Sequence, residues 1–229
     1  MARYRHLFFD LDHTLWDFRA NSRTVLHELC DELLGGLGVG TDEFIGVYEG
    51  VNAALWEQLD GGAIPKEVLR KLRFKRTLAH FGITDGALSR RLEETYMERC
   101  PVRAILMPGA AALLEDLRPH YHLHIITNGF TGVQDVKLRS SGIRHHFGVV
   151  LTSEMAGAPK PNAAIFRHAL RSAGARAAES LMIGDNVRAD VAGARAAGMD
   201  QVHFPQEGEG DPMATYRITH LDGLRGILL

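Results

Sequence analysis

The sequence is poor in the features that mark several specialised classes of protein. Its 229 residues include only two cysteines, Cys30 and Cys100, which match neither a disulfide framework nor a paired-cysteine metal site. Lys and Arg number 26 against 28 Asp and Glu, and the net charge of −2 argues against a broad basic surface for nucleic acid. Every apolar run is shorter than the roughly 18 residues that a membrane span needs, and Asp10 and Asp12 interrupt the run where a signal peptide would lie. We therefore expect a cytoplasmic globular protein without nucleic-acid or membrane partners.

What the sequence does contain is a series of short apolar runs. Stretches of helix-forming length separate the later runs, which is the spacing of parallel strands joined by crossover helices. We therefore predict an α/β fold with a doubly wound, Rossmann-like parallel sheet. The predicted strands are 6–9, 123–126, 149–151, 181–183 and 201–204.

The first two runs are more than a hundred residues apart, too far for an ordinary crossover. The intervening sequence has helical patterns: Asn21 or Ser22 is predicted to cap a first helix, Thr41 to begin a second and Pro65 to lie in the first turn of a third. A fourth helix is predicted from about 84 to 99. We thus predict an inserted α-helical domain within an interrupted core. The helical domain is 17–101, and the core is 1–16 and 102–229.

Two polar clusters in the sequence are typical of a protein surface. The basic run of the third predicted helix is interpreted as a solvated face, with attraction of an anionic nucleotide or nucleic acid as the alternative. His145 and His146 are interpreted as surface residues, because adjacent side chains diverge. The basic run comprises Lys66, Arg70, Lys71, Arg73, Lys75 and Arg76.

Acidic residues follow two of the predicted strands. Asp10 and Asp12 come directly after the first run, and Asp185, Asn186 and Asp190 follow the fourth. Because the carboxyl ends of parallel strands meet at one edge of a sheet, we expect these side chains to lie close together. Such crowding favours a divalent cation, and oxygen-only ligands suit Mg²⁺ better than zinc. The alternative for the first pair is that it caps the next helix.

Two further segments point to a phosphate ligand. Thr127, Asn128 and Gly129 follow the second run, where a hydroxyl, an amide and a close backbone approach precede a predicted helix that would attract an anion. The same tripeptide is also a common turn. Lys160 lies between two prolines that restrict the backbone and aim its ammonium group, although a solvated lysine is the alternative.

These segments resemble, in order and spacing, the four motifs of the haloacid dehalogenase superfamily of phosphohydrolases. The motifs are Asp10-x-Asp12-x-Thr14, then Thr127, then Lys160, then Gly184-Asp185 with Asp190. The runs FFDLDHTLWDF, ITNGFTGVQ, KPNAAIF and LMIGDN are most similar to the pyrimidine 5′-nucleotidase subgroup. The inserted helical domain corresponds to the cap of that family.

The resemblance implies the roles of the acidic residues. Asp10 would attack phosphorus and form an aspartyl-phosphate. Asp12 would protonate the leaving oxygen and then accept a proton from the attacking water, with a neighbouring carboxylate raising its pKa. Asp185 would bind Mg²⁺ together with Asp10 and the carbonyl of Asp12.

The resemblance also implies how the substrate is held. Thr127, Asn128 and Lys160 would bind the phosphoryl oxygens, and Thr127 and Lys160 would take part in catalysis by stabilising the charge that develops there. Asp190 would orient Lys160 or a metal-bound water, and Asn186 would add a metal or water contact.

The predicted function is a Mg²⁺-dependent phosphomonoester hydrolase acting on a small phosphorylated metabolite, a nucleoside 5′-monophosphate, as a monomer or weak homodimer. Alternatives with the same core are a sugar-phosphate phosphatase and a phosphomutase. A hydrolytic 2-haloacid dehalogenase would also use Asp10, but Asp12 argues against it because carbon–halogen displacement needs no acid for an oxygen leaving group. A phospho-accepting receiver module would not need a helical domain of this size.

Overall fold

In the part of the chain that the computed structural model describes, residues 3–206, 208 and 210–229, six parallel strands form one sheet. The first five lie within two residues of the predicted strands. The sixth follows no apolar run, is only two residues long and depends on its pairing with the fifth. The strands are β1 (His6–Phe9), β2 (His122–Thr127), β3 (Phe147–Thr152), β4 (Ser180–Gly184), β5 (Asp200–His203) and β6 (Tyr216–Arg217).

The order of the strands is β3-β2-β1-β4-β5-β6, with β1 in the interior of the sheet. Leu7 is in register with Leu123 of β2 on one side and with Leu181 of β4 on the other. Both β1 and β4 are buried along their whole length, as expected for strands covered on both faces. The direction of winding reverses between β1 and β4, which is where ligands bind in doubly wound sheets. The predicted fold class is confirmed.

The chain divides into two compact units, one comprising Met1–Phe18 with Arg103–Leu229 and the other Arg19–Val102. Helices occupy the segment after β1, and a π-helical turn at Cys30–Leu34 extends the first of them. Asp85 caps the fourth by accepting hydrogen bonds from two backbone N–H groups at 2.8 and 3.0 Å. These helices are α1 (Phe18–Leu29), α2 (Thr41–Asp60), α3 (Lys66–His80) and α4 (Gly86–Arg99).

The predicted start of α1 is wrong. Asn21 and Ser22 lie inside the helix and are buried instead of capping it. The Tyr96 hydroxyl donates a hydrogen bond of 2.8 Å to Ser22 Oγ, so a tertiary contact uses the polar group that capping would have used. Thr41 does begin α2, and α3 begins one residue after Pro65.

Arg73 on α3 also departs from the prediction, because it is buried and not part of a solvated face. Its guanidinium donates two hydrogen bonds to the carboxylate of Glu93 at 2.7 and 2.8 Å and lies 4.7 Å from the ring centre of Tyr96. The paired geometry compensates for moving the charge out of water. The aromatic residues Tyr48, Phe74 and Tyr96 surround this pair and form the centre of the helical unit.

The remaining helices belong to the unit that contains the sheet. Phe8, Ile126 and Met182 of neighbouring strands pack with Ile165 and Phe166 in one apolar cluster. Across the described residues, none of the helices combines the length and apolar character that a bilayer crossing requires. These helices are α5 (Ala110–Leu117), α6 (Thr131–Ser140), α7 (Ser153–Ala156), α8 (Ala163–Ala173), α9 (Gly193–Ala196) and α10 (Gly223–Leu228).

Candidate active site

Asp10 and Asp12 lie at the carboxyl end of β1. The Asp10 backbone N–H donates to the carbonyl of Ile183 on β4 at 2.9 Å, so the residue is anchored to the neighbouring strand and its side chain is buried. The chain then turns through His13, which has a φ of 65°. The two predicted acids therefore stand at the edge of the sheet where the strand order reverses.

Lys160 joins Asp10 to Asp190. Its Nζ donates to Asp10 Oδ1 and to Asp190 Oδ1, each at 2.6 Å, and all three residues are buried. Burial opposes a charge on Lys160, but the two carboxylates outweigh it and hold the pKa of the lysine above its ordinary value. Burial raises the pKa of Asp10 to about 7, with Lys160 opposing and Asp190 reinforcing the shift. This lysine is therefore not the solvated residue of the alternative interpretation.

Three carboxylates form a cluster around this ion pair. One oxygen from each of Asp10, Asp185 and Asp190 lies within 4.8 Å of the others. Burial raises the pKa of Asp185 well above its usual range, and the charges of Asp10 and Asp190 add to the effect. A single ammonium does not neutralise this cluster. The oxygen-only donor set and the surplus of negative charge fit a hard divalent cation such as Mg²⁺.

Thr127 lies at the end of β2 and is also buried. Its Oγ1 accepts hydrogen bonds from the Gly129 backbone N–H at 3.1 Å and from Gln134 Nε2 at 2.7 Å. A Cβ at Gly129 would overlap the Gln134 side chain, and a Cβ at Gly184 would overlap Asp190. Any other residue at either position would therefore force the neighbouring side chain to shift.

Asn128 and Asn186 use their side chains locally. Asn128 Oδ1 accepts from the Lys160 backbone N–H at 2.8 Å and its Nδ2 donates to the Lys160 carbonyl at 3.0 Å, which fixes the loop that carries the lysine. Asn186 is exposed, and its Oδ1 caps the following turn by accepting from the Ala189 N–H at 2.8 Å. Its own backbone N–H donates to Asp190 Oδ2 at 3.0 Å. A contact of either side chain with phosphate or metal stays a prediction.

Two residues of α6 complete the site and were not predicted. Lys137 Nζ donates to Asp12 Oδ1 at 2.5 Å, and Gln134 Nε2 donates to Asp12 Oδ2 at 2.9 Å. Lys137 is buried, with its ammonium 4.2 Å from the ring centre of Trp16. The available signal was their separation of three residues, which places both on one face of the helix that follows Thr127.

Lys137 and Gln134 reverse the expectation for Asp12. A neighbouring carboxylate was expected to raise the pKa of Asp12. Burial does act in that direction, but the charge and hydrogen bond of Lys137, with the hydrogen bond of Gln134, hold the pKa below its ordinary value. Asp12 is therefore an ionised carboxylate in this arrangement.

The structure thus brings most of the predicted site residues to one edge of the sheet. Lys160 contacts Asp10 and Asp190, and Gln134 connects Asp12 with Thr127. Asp185 lies beside this group and accepts a hydrogen bond of 3.4 Å from Thr14. Asn186 joins the group only through its backbone N–H, which donates to Asp190, while its side chain caps the next turn. The chemical role of each residue stays a prediction.

Comparison with known proteins identifies the family to which the chain is similar. A family model described as haloacid dehalogenase-like hydrolase matches residues 4–198. Pyrimidine 5′-nucleotidase YjjG of Escherichia coli is 32% identical over 97% of this chain and 96% of its own length. A ribulose-1,5-bisphosphate 5-phosphatase of Halopiger xanaduensis is 32% identical over 90% of this chain and 86% of its own. The magnesium-bound crystal structure of the HAD-hydrolase YfnB from Bacillus subtilis superposes with a TM-score of 0.89 at 29% identity and covers 99% of both chains.

Proposed function

The chain belongs to the haloacid dehalogenase-like hydrolase family, and on that premise we propose that it is a Mg²⁺-dependent phosphatase of nucleoside 5′-monophosphates. It is a hydrolase, and its relatives place it among the phosphoric monoester hydrolases. The observation that carries the proposal is the buried arrangement in which Lys160 bridges Asp10 and Asp190 beside Asp185. We also propose that Arg19–Val102 serves as the cap domain and that the enzyme is cytoplasmic.

The acidic cluster fits the proposed Mg²⁺. Burial raises the pKa values of both Asp10 and Asp185, and repulsion from neighbouring carboxylates adds to both shifts, although Lys160 opposes them. Asp10 and Asp185 would hold the ion together with the carbonyl of Asp12. When bound, Mg²⁺ would neutralise the phosphate and the nucleophile and so permit two anions to approach each other.

The first chemical step uses Asp10 as the nucleophile. Its carboxylate oxygen forms a bond to phosphorus while the bond from phosphorus to the leaving oxygen breaks, which gives an aspartyl-phosphate. Thr127 and Lys160 stabilise the charge on the phosphoryl oxygens. Asp190 keeps Lys160 charged and positioned through its contact of 2.6 Å.

Asp12 moves protons in both steps of the proposed mechanism. Its lowered pKa keeps it ionised, which is the form that the second step requires, because there it accepts a proton from the water that attacks the aspartyl-phosphate. In the first step Asp12 must donate a proton to the leaving oxygen. We propose that the bound phosphate, as a nearby negative charge, raises the pKa of Asp12 and allows it to carry that proton.

The substrate is argued from the relatives. YjjG is named for pyrimidine 5′-nucleotides, and the sequence runs around the motifs are similar to its subgroup. The Halopiger relative, named for a sugar bisphosphate, makes a sugar-phosphate phosphatase the second candidate. A phosphomutase would share the same core residues. The Asp12–Lys137 pair and the acidic cluster argue against a dehalogenase, because displacement of a halide needs neither an acid nor a metal.

The test is release of inorganic phosphate from UMP, dUMP, TMP, purine nucleotides and sugar phosphates, with Mg²⁺ and with a chelator. We expect release from nucleoside monophosphates that requires Mg²⁺ and falls by a factor on the order of 10³ or more in Asp10→Asn. Asp42→Asn, the same change at an exposed position, is the control. Activity that survives the chelator or Asp10→Asn contradicts the mechanism, whereas equal rates on all substrates contradict only the nucleotidase assignment.

A further inference from the structure

A second cluster of potential metal ligands lies at the opposite edge of the sheet. Glu115 is on α5, which precedes β2, and His145 and His146 form the turn that immediately precedes β3. One donor atom of each residue lies within 4.8 Å of the others. Because the strands are parallel, these residues lie at their amino ends, whereas the candidate active site lies at their carboxyl ends.

The distances within this cluster exceed those of hydrogen bonds. Glu115 Oε1 is 3.7 Å from His145 Nε2 and 3.6 Å from His146 Nε2. Ligands held about 2.0–2.1 Å from one ion in a tetrahedral arrangement are about 3.3 Å apart. Both distances from Glu115 are therefore within a few tenths of an ångström of the spacing that a shared ion would require.

His146 supplies an independent observation. Its side chain is only 3% exposed, which contradicts the expectation that both histidines lie on the surface. Its Nε2 is the ring nitrogen near Glu115, and its other ring nitrogen, the buried Nδ1, makes no hydrogen bond within the residues that the structure describes. His146 is therefore the enclosed member of the cluster, and Glu115 and His145 are its exposed members.

We propose that Glu115, His145 and His146 bind a divalent transition-metal ion of the Zn²⁺ type. Two imidazoles and one carboxylate match the preference of Zn²⁺ for nitrogen and oxygen donors, whereas Mg²⁺ prefers oxygen alone. Glu115 and His145 are 61% and 55% exposed, so the ion has access from solvent and water completes its coordination. The bound ion links α5 to the turn before β3 and stabilises that end of the sheet. The proposal does not depend on the phosphatase function.

The test is calorimetric titration of the chelator-treated full chain with Zn²⁺ in the presence of saturating Mg²⁺, which fills the acidic cluster. We expect one equivalent of Zn²⁺ to bind and the thermal midpoint to rise with it. The variants His145→Gln and Glu115→Gln change exposed side chains and should weaken binding by about tenfold or more, since even partners outside the ligand set have effects of that size. His120→Gln, at an exposed histidine outside the cluster, should bind like the wild type.

Two further measurements distinguish Zn²⁺ binding at this cluster from Zn²⁺ binding at the candidate active site. Zn²⁺ should shift the ring-nitrogen NMR signals of His146, which reports on the buried ligand without replacing it. The Asp185→Asn variant should keep its equivalent of Zn²⁺. Loss of Zn²⁺ binding in Asp185→Asn, its retention in His145→Gln or the absence of binding at about 0.1 mM free Zn²⁺, far above the range of protein zinc sites, would each overturn the proposal.

Discussion

His124 should make the folded chain sensitive to acid. It is buried on β2, where its ring stacks on Phe8 with centroids 4.7 Å apart and on His6 at 5.5 Å. Its Nδ1 accepts a hydrogen bond of 3.2 Å from the Val149 backbone N–H, which requires that nitrogen to be unprotonated. Burial, with the neighbouring charges of His6 and His122, lowers the pKa of His124 from 6.5 to about 4.

The magnitude follows from the difference between the folded and unfolded states. Between pH 6.5 and 4 the unfolded chain binds a proton at this histidine and the folded chain does not, so stability falls as the pH falls. At pH 5 the loss is about 2 kcal/mol, and below pH 4 it approaches about 3 kcal/mol. Above pH 6.5 the group contributes no pH dependence.

The assay is urea unfolding at pH 7.5 and pH 5.0 for the wild type and His124→Gln, which keeps a hydrogen-bond acceptor but cannot titrate in this range. A Trp56→Phe background leaves Trp16 as the only tryptophan, so fluorescence reports on the unit that contains His124. The stability lost between the two pH values should be about 2 kcal/mol smaller in His124→Gln. His120→Gln, at an exposed position, should match the wild type. An equal loss in wild type and His124→Gln would refute the reasoning.

Two predictions concern the candidate active site. Gly184→Ala places a Cβ against the side chain of Asp190, which contacts Lys160, and should lower the rate of phosphate release by about 100-fold through displacement of these groups. Gly132→Ala is the control, because nothing lies within 4 Å of the added carbon, and it should have little effect. Equal effects of the two changes on the rate would be inconsistent with the packing at Gly184. Lys137→Met removes the contact that positions Asp12. It should lower kcat/KM, which reports on the first step, by about 100-fold on alkyl phosphates but much less on an activated aryl phosphate, whose leaving oxygen needs no acid. A uniform loss of kcat/KM on both substrates would argue against positioning of Asp12.

Features that depend on residues close together in sequence could be predicted. The strands appear as short apolar runs because a strand buried on both faces needs apolar side chains throughout. The acids at the ends of β1 and β4 were recognisable because their positions follow directly from where those strands end. The two-residue β6 was not predictable, since only its pairing with β5 makes it a strand.

Features that depend on contacts between residues far apart in sequence could not be predicted. Asp12 and Lys137 are 125 positions apart, and only the fold places the ammonium beside the carboxylate and so reverses the direction of the expected pKa shift. Arg73 is buried because Glu93 accepts its hydrogen bonds and aromatic residues of the helical unit pack around it. The sequence of its own helix, by contrast, is typical of a basic, solvated surface.

The sequence by itself determined the α/β class, the family and the set of acids, because apolar runs and motif spacing are local properties of the chain. The tertiary structure decided which of those groups are charged, which are paired and which are buried. Charge state and burial depend on everything packed around a group, and in this chain those neighbours come from helices and strands far apart in sequence.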